Sequence, residues 1–316
     1  MYRRICLKNQ KSVTRRFSGF GIIQKSRNGI FREGKRGSME HIDNKVMDEE
    51  RALYGSSGIL VTNCRFDGPA DGESALKESS NVTVKDSYFN LRYPFWHVHG
   101  LNIDACEMTD KCRAALWYSD DIKITNTKLH GIKALRECRD ASIESSSIIS
   151  PEFGWSVAGL KLKDVTAESE YFLMRSSDVT LDNVTLTGKY SFQYVENCGI
   201  KDSNLNTKDA FWHAKNVTVR DTVIKGEYLG WYSENLTLIN CTIIGTQPLC
   251  YCKGLKLINC RMEECDLAFE RSVVEAEITT PVISIKNPYA GHITVPAAGE
   301  IIRDIPGADC EIILKD

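Results

Sequence analysis

The chain has 316 residues, of which 42% are hydrophobic and 26% are charged, and its formal net charge is −2. This length suits one large domain or two ordinary ones, and the composition is typical of a soluble globular protein. The near-neutral balance gives no bias toward nucleic acid or anionic lipid, and no apolar run is long enough to span a membrane. We therefore expect neither a nucleic-acid nor a membrane partner.

Residues 1–38 differ from the rest, because they carry eleven Lys or Arg and one acidic residue. They lack the apolar core and the small-residue cleavage site of a secretory signal. Three interpretations stay open: a basic binding arm, a disordered leader, or an upstream stretch that is not translated, with Met39 as the true start. We expect a disordered or non-native leader, followed by one domain over residues 39–316.

A nine-residue phrase then repeats along the chain, as in "NVTVRDTVI" from Asn216 and "NLTLINCTI" from Asn235. From residue 121 onward the spacing is nineteen residues, and the three intervals before it are 23, 19 and 21. A fixed period of this size indicates a solenoid, in which each repeat packs only on its neighbours. The phrases begin at residues 58, 81, 100, 121, 140, 159, 178, 197, 216, 235 and 254, with a degraded copy at 273.

Within each phrase the second and fourth positions are apolar, which predicts a strand with one buried face. The sixth position is usually Asn or Asp, which tolerate the left-handed conformation and therefore predict a turn. The ninth position is apolar again and predicts a second strand. We predict an all-β, single-domain, right-handed parallel β-helix of about twelve coils with roughly 19 residues each, since the strict hexapeptide rhythm of a left-handed helix is absent.

The segment before each phrase predicts a third strand. All five tryptophans occupy one column four residues before the phrase, and the column before it is also apolar. Lys77, Arg136 and Gln193 share the tryptophan column and would be costly inside a narrow lumen, so we place that column outside. The next column contains His97, Glu137 and Arg175, which favour the opposite assignment, and the sequence leaves both open.

An outward ladder of indole rings beside charged side chains suits the stacking of sugar rings. The predicted partner is an oligosaccharide or another small molecule. The candidate stacking rings are Trp96, Trp117, Trp155, Trp212 and Trp231, and the candidate polar contacts are Lys133, Arg136, Glu152 and Lys208. Asp209 and Glu227 fall in adjacent coils and form a candidate catalytic pair for acid–base chemistry.

Two alternatives stay open for this segment. The charged residues are also what turns use to bond backbone and keep a strand edge soluble. The apolar strand would then be a buried seam or a protein contact in a non-catalytic scaffold. The sequence does not predict an oligomeric state.

The chain has twelve cysteines with irregular spacing and apolar neighbours. We interpret them as buried thiols in a reducing compartment, which predicts a cytoplasmic protein. Stacked coils could bring four of Cys241, Cys250, Cys252, Cys260 and Cys265 together as a metal site, but buried thiols are the preferred interpretation. We expect no metal, and no motif for a cofactor appears.

A family resemblance is carried by several short sequence segments that occur in a fixed order along the chain. Among them are "ERALYG" (50–55), "KDAFW" (208–212), "GEYLGW" (226–231) and "LAFE" (267–270). Here the chain resembles a bacterial β-helix family catalogued as domain of unknown function 3737, over nearly all of its length after Met39. The resemblance implies a right-handed, pectate-lyase-like β-helix in the bacterial cytoplasm. That family brings no established reaction, so no catalytic residue is carried over from it.

Overall fold

Parallel strands stacked coil upon coil build the part of the chain that the computed structural model describes, residues 39–69 and 72–315. The predicted leader, residues 1–38, lies outside the described residues. The fold is all-β, a right-handed parallel β-solenoid with about 14 turns of roughly 19 residues, which confirms the predicted architecture. No helix long and apolar enough to cross a membrane occurs among the described residues.

The first sheet is made by the repeating phrases. Its strands pair in parallel and in register, so that Ile59 lies beside Val82 and Val61 beside Val84. All four of these side chains are buried, as the apolar columns predict. Its strands are Glu40–Asp43, Ser57–Thr62, Ser80–Lys85, His99–Asp104, Asp120–Thr125, Arg139–Glu144, Ala158–Glu170, Ser177–Lys189, Glu196–Lys201, Lys215–Arg220, Glu234–Ile239, Leu255–Glu263, Val273–Ile278, Ala290–Val295 and Glu311–Leu314.

The second sheet follows the Asn-rich turn. Three of the strands already given, those that begin at Ala158, Ser177 and Leu255, continue into it without a break. Its other strands are Val46–Met47, Arg65–Phe66, Tyr88–Phe89, Glu107–Met108, Lys128–His130, Ser147–Ile149, Asn204–Lys208, Val223–Lys225 and Thr242–Ile244.

The turn between these two sheets is left-handed in the eleven coils that carry a full phrase. The sixth position of each of these phrases has a φ between 48° and 54°, including Ala105 and Ser145. Asn side chains also bond from coil to coil: Asn240 donates to Asp221 at 3.0 Å, and Asn259 donates to Asn240 at 2.9 Å. The turn column was therefore predicted correctly, and its amide ladder stabilises the stack.

The third strand is regular in only part of the rod, which corrects the prediction of a strand in every coil. Phe95–Trp96, Leu116–Trp117 and Leu135–Arg136 form a three-stranded sheet, and a single bridge joins Arg136 to Trp155. In later coils the segment consists of turns. A separate pair of strands, Val282–Lys286 and Ala298–Ile302, lies near the C-terminal end.

In these later coils every second residue of the third segment is left-handed, as at Tyr190, Phe192 and Tyr194, with φ values of 59°, 60° and 57°. Each such non-glycine residue costs about 1 to 2 kcal/mol. The backbone is held there because Tyr190 and Tyr194 donate their N–H groups to the following coil, while Phe192 donates to the preceding one. Hydrogen bonds to both neighbours thus override the intrinsic preference of these residues.

The lumen is filled by aliphatic side chains and by stacks of phenylalanine. Phe192 and Phe211 are fully buried or nearly so, and their parallel rings have centroids 4.8 Å apart. The rod is about two turns longer than predicted. The strands at Glu40, Ala290 and Glu311 extend the first sheet without carrying the repeating phrase.

Candidate functional site

The tryptophan column lies outside the lumen. The residues just before it, among them Phe95, Leu116 and Phe211, are at most 2% exposed and fill the interior. The tryptophans themselves are half-buried on the outer side. The sequence left open whether the tryptophan column faces inward or outward, and in the structure it faces outward.

The indole rings are stacked on one another along the rod. Trp96 and Trp117 have centroids 5.3 Å apart at 14°, and Trp212 and Trp231 have centroids 5.5 Å apart at 4°. Lys77 covers the other side of Trp96, with Nζ 4.0 Å from the centroid. Because a sugar ring stacks on an open aromatic face, this arrangement leaves Trp96 without one.

The remaining members of this column are also engaged in the protein. The Arg136 guanidinium lies between Trp117 and Trp155, 5.6 and 5.3 Å from their centroids. The indole N–H groups of Trp155, Trp212 and Trp231 each donate to a backbone carbonyl sixteen residues later, at 2.8 Å. The five tryptophans and Arg136 thus join successive coils, while their role as sugar platforms stays a prediction.

A second aromatic column was missed. Tyr194, His213, Tyr232 and Tyr251, which we call the outer aromatic strip, each follow the tryptophan column by one residue. Their successive centroids are 5.0, 5.1 and 4.8 Å apart and their rings are nearly parallel. The sequence signal was present, since the four residues share one position in adjacent coils, but only the charged and histidine members of the column were considered.

A long shallow depression, which we call the lateral groove, runs beside the second sheet. It consists of two hollows of about 410 and 510 Å³ that share Gly188 and Asn206. Its lining residues outside that shared pair are Ile149, Pro151, Glu168, Ser169, Glu170, Thr187, Lys189, Lys208, Lys225, Gly226, Glu227, Ile244, Gly245, Thr246 and Glu264.

Glycines form the floor of this groove because adjacent coils approach too closely there for any side chain. A Cβ at Gly188 would stand 1.8 Å from the Ser169 carbonyl oxygen, and one at Gly226 would stand 2.3 Å from the Thr207 carbonyl oxygen. Gly226 also has a φ of 153°, in the range that favours glycine. The groove is thus a region of bare backbone between two rows of side chains.

Two of the predicted site residues line the groove, and a third adjoins it. Lys208 and Glu227 border the larger hollow, one coil apart. Asp209 follows Lys208 directly, and its backbone N–H donates to the Glu227 carbonyl oxygen at 2.8 Å. The structure therefore brings Lys208, Asp209 and Glu227 together.

Asp209 is the most enclosed carboxyl group of this cluster, with 8% of the residue exposed. Burial raises the pKa of its carboxyl above the usual value of 3.8; the Lys208 ammonium opposes this rise and the Glu227 carboxylate adds to it. Glu227 and Lys208 are exposed. A carboxyl whose pKa is raised by burial thus stands one coil from an exposed carboxylate, and such unlike surroundings are what acid–base chemistry uses.

The other predicted polar contacts lie elsewhere. Lys133 and Glu152 form an ion pair with each other at 3.3 Å, and their side chains are 24% and 23% exposed. Glu152 lies three coils before Asp209, which is about 14 Å along the rod. The structure does not bring these two residues or Arg136 to the cluster.

The cysteines among the described residues are all buried. Burial raises the pKa of the Cys250 and Cys265 thiols to about 12 and that of the Cys252 thiol to about 11, which disfavours the thiolate that a metal needs. In residues 39–69 and 72–315, no three Cys, His, Asp or Glu side chains are grouped so as to hold a metal ion.

Other lining residues of the groove were not predicted, chiefly Glu168, Lys189 and Lys225. A signal for them exists in the sequence. Gly188, Gly226 and Gly245 fall in one column of the nineteen-residue repeat, and the columns on either side of it contain several charged residues. A glycine-rich column between two partly charged columns predicts a groove once the coil register is known.

Comparisons with known proteins give remote likenesses and one family. No curated protein matches the chain. Among solved structures, it is similar to the surface protein and adhesin PfbA of Streptococcus pneumoniae, at 8% identity and a TM-score of 0.37, over 74% of this chain and 91% of that one. It is also similar to the catalytic domain of a GH87 alpha-1,3-glucanase, at 10% identity and a TM-score of 0.32, over 87% of this chain and 64% of that one.

A third similar structure is the periplasmic alginate epimerase AlgG, at 8% identity and a TM-score of 0.27, over 82% of this chain and 78% of that one. Likenesses this weak carry no argument about the groove. A family model matches residues 40–313, well over half of the chain. The chain therefore belongs to the family described as protein of unknown function, DUF3737.

Proposed function

We propose that the lateral groove binds an oligosaccharide and that Asp209 and Glu227 perform acid–base chemistry on it. The observation that carries this proposal is the position of Asp209. Asp209 is buried and directly follows Lys208, which lines the larger hollow, and burial raises the pKa of its carboxyl while Glu227 on the next coil is exposed. Two carboxyl groups in unlike surroundings can take the roles of acid and base.

The dimensions of the groove fit an extended saccharide. From Ile149 to Glu264 it crosses about six coil steps, or roughly 29 Å at the spacing of adjacent strands. An extended chain of hexopyranoses advances by nearly one coil spacing per unit, so successive units meet equivalent positions on successive coils. The side chains of Asn206 and Thr246, which line the larger hollow, supply hydrogen-bond partners for hydroxyl groups.

The chemistry follows the pattern of glycoside hydrolysis. Asp209 donates its proton to the oxygen of the bond that breaks, and Glu227 accepts a proton from the attacking water. Lys208, adjacent to both, stabilises negative charge that develops between them. The groove, rather than the tryptophan column, is thus the proposed binding surface.

The test is a panel of neutral and acidic oligosaccharides, with binding measured by calorimetry and cleavage by mass spectrometry. We expect cleavage that falls by about a hundredfold or more in both Asp209→Asn and Glu227→Gln, in line with the usual contribution of a general acid or base. Glu196→Gln, an exposed first-sheet residue away from the groove, is the matched control and should leave cleavage unchanged.

Each failure has a distinct meaning. Binding without cleavage would refute the acid–base roles and leave a carbohydrate-binding module. The absence of binding across the panel, by a protein with native circular dichroism, would refute the proposal as a whole.

A second candidate function is a protein contact through the outer aromatic strip. Tyr194 and Tyr232 are each 44% exposed, which is unusual for four stacked rings in a row. The rod would then act as a scaffold. Light scattering that shows a concentration-dependent dimer, abolished by Tyr232→Ser, would favour this alternative, whereas a monomer at high concentration would count against self-association through the strip.

A further inference from the structure

The charges of the lateral groove are arranged differently from those of the first sheet. Along the first sheet, opposite charges are commonly register partners: Glu144 pairs with Lys163, and Lys163 with Asp182. In the groove, Lys189 is the register partner of Lys208. Like charges directly beside each other are destabilising unless an anion offsets them, as Glu170 does for Lys189; the first sheet also has one such pair, Lys201 beside Arg220.

Three lysines occupy three successive coils at the centre of the groove: Lys189, Lys208 and Lys225. Lys189 is paired with Glu170 of the preceding coil, at 3.0 Å. Lys208 and Lys225 are exposed and have no ion pair with any described residue. Two ammonium groups therefore point to solvent from opposite walls of one hollow, one coil apart.

Acidic residues stand at both ends of this cationic centre. Glu168 and Glu170 lie on the coil before Lys189, and Glu264 lies on the second coil after Lys225. The order along the groove is thus negative, then positive at Lys189 and Lys208, then mixed where Lys225 shares its coil with Glu227, and negative again. A ligand that carries negative charge is attracted to the middle coils and repelled beyond them.

We infer that the groove takes a short anionic saccharide of two or three units, with carboxylate or sulfate groups that bind Lys208 and Lys225. The inference rests on the proposed function and names its substrate class. Three coils span about 10 Å between the first and the last, which accommodates two or three sugar units. The glutamates at either end repel the further units of a longer anionic saccharide, so that it cannot extend along the groove.

The physical balance favours binding at the centre for two reasons. An anion between the lysines offsets the repulsion between Lys189 and Lys208, so the protein gains stability that the free groove lacks. The groove is shallow and open to solvent, so these attractions are screened over a Debye length of about 8 Å at physiological salt. The affinity for the anionic ligand should therefore fall as salt rises.

The experiment is calorimetric titration of the full chain with a neutral trisaccharide, a uronic-acid trisaccharide, a sulfated disaccharide and a uronic-acid hexasaccharide. We expect the two short anionic ligands to bind at least about tenfold tighter than the neutral one, a difference of about 1.4 kcal/mol. The double variant Lys208→Gln with Lys225→Gln should abolish that preference, while Lys123→Gln with Lys161→Gln, two exposed first-sheet lysines, should keep it. The relative affinity of the uronate and the sulfate decides which anionic group the lysines prefer.

A separate part of the experiment tests the limit of two or three sugar units. The hexasaccharide should bind no tighter than the uronic-acid trisaccharide, and the triple variant Glu168→Gln, Glu170→Gln and Glu264→Gln should improve the hexasaccharide selectively. Hexasaccharide binding much tighter than trisaccharide binding would overturn the length limit.

The substrate class and the proposed function fail in different ways. Neutral sugar bound as tightly as the anionic ones, without salt dependence, would overturn the substrate class and leave the proposed function standing. No binding of any sugar by the folded protein would refute both.

Discussion

The first sheet and the lateral groove use the same nineteen-residue repeat in different ways. On the first sheet the outward charges mostly alternate in sign between coils, and Gly199 has open space above it, since a Cβ there would meet its nearest neighbour at 4.0 Å. In the groove, lysines are neighbours, and the glycines have no room for a Cβ. The first sheet keeps to the rules of stability at most positions, with exceptions at the Lys201–Arg220 pair and at Gly291, whereas the groove gathers such departures in one place, as proteins do where function outweighs stability.

The largest expected effect is on stability. It is the difference between a glycine-to-alanine substitution in the groove and one in the first sheet. Gly188→Ala places a Cβ 1.8 Å from a backbone oxygen, so two coils must separate, and we expect a loss of about 3 kcal/mol or more in the free energy of unfolding. Gly199→Ala is the matched control and should stay within about 0.5 kcal/mol of the original protein. Urea denaturation of both variants measures the difference, and equal losses would contradict the distinction between the two regions.

A smaller effect is expected in the turn column that borders the first sheet. Asn240 has a φ of 52°. Its side-chain amide donates a hydrogen bond to Asp221 and accepts one from Asn259. Asn240→Ala removes both bonds and leaves a Cβ in the left-handed region, so we expect a loss of about 2 kcal/mol. Asn240→Gly removes the same bonds but fits the conformation, and should lose only about 1 kcal/mol. If glycine proved as harmful as alanine, the left-handed requirement would be refuted.

The smallest effect is a pH dependence in the groove. The folded-state pKa of Asp209 is raised by burial, so its neutral form is favoured in the folded protein. The stability that this group contributes is present below pH 3.8 and is lost as the pH rises through the raised pKa. Asp209→Asn cannot ionise, so the variant should gain stability relative to the original protein as the pH rises. Urea denaturation at a series of pH values measures the difference in free energy of unfolding between the variant and the original protein, with Glu196→Gln as the control. A difference that stayed constant or fell as the pH rose would contradict the prediction.

The sequence predicts the first half of each coil well because each prediction there rests on a local rule. Alternating apolar residues such as Val217 and Val219 define a strand, and Asn or Asp at the sixth position defines a left-handed turn. The regular spacing then brings every coil into register. The cost of burying Lys77 or Arg136 favoured an outward tryptophan column, but the sequence left the opposite assignment open as well.

The rest could not be predicted in this way because it depends on contacts between coils. Leu173 and Phe192 are left-handed although neither residue favours that conformation, since hydrogen bonds to two neighbouring coils impose it. The stacking that closes the faces of Trp96 and Trp117 also requires the register of two coils and the orientation of the rings. Of the candidate site, Lys208, Asp209 and Glu227 were identified, whereas the groove was not.

The uniform coil length has an evolutionary consequence. From residue 121 to residue 254 every phrase is nineteen residues after the last, and each coil contacts only its neighbours. A gene could therefore gain or lose one such unit in frame and still encode a closed rod. The groove does not share this freedom, because removing the coil that contains Lys208 and Asp209 would place Lys189 directly before Glu227 and erase the binding surface. The number of coils can therefore change at the ends of the rod during evolution. Selection on the groove would act instead on the order of its middle coils.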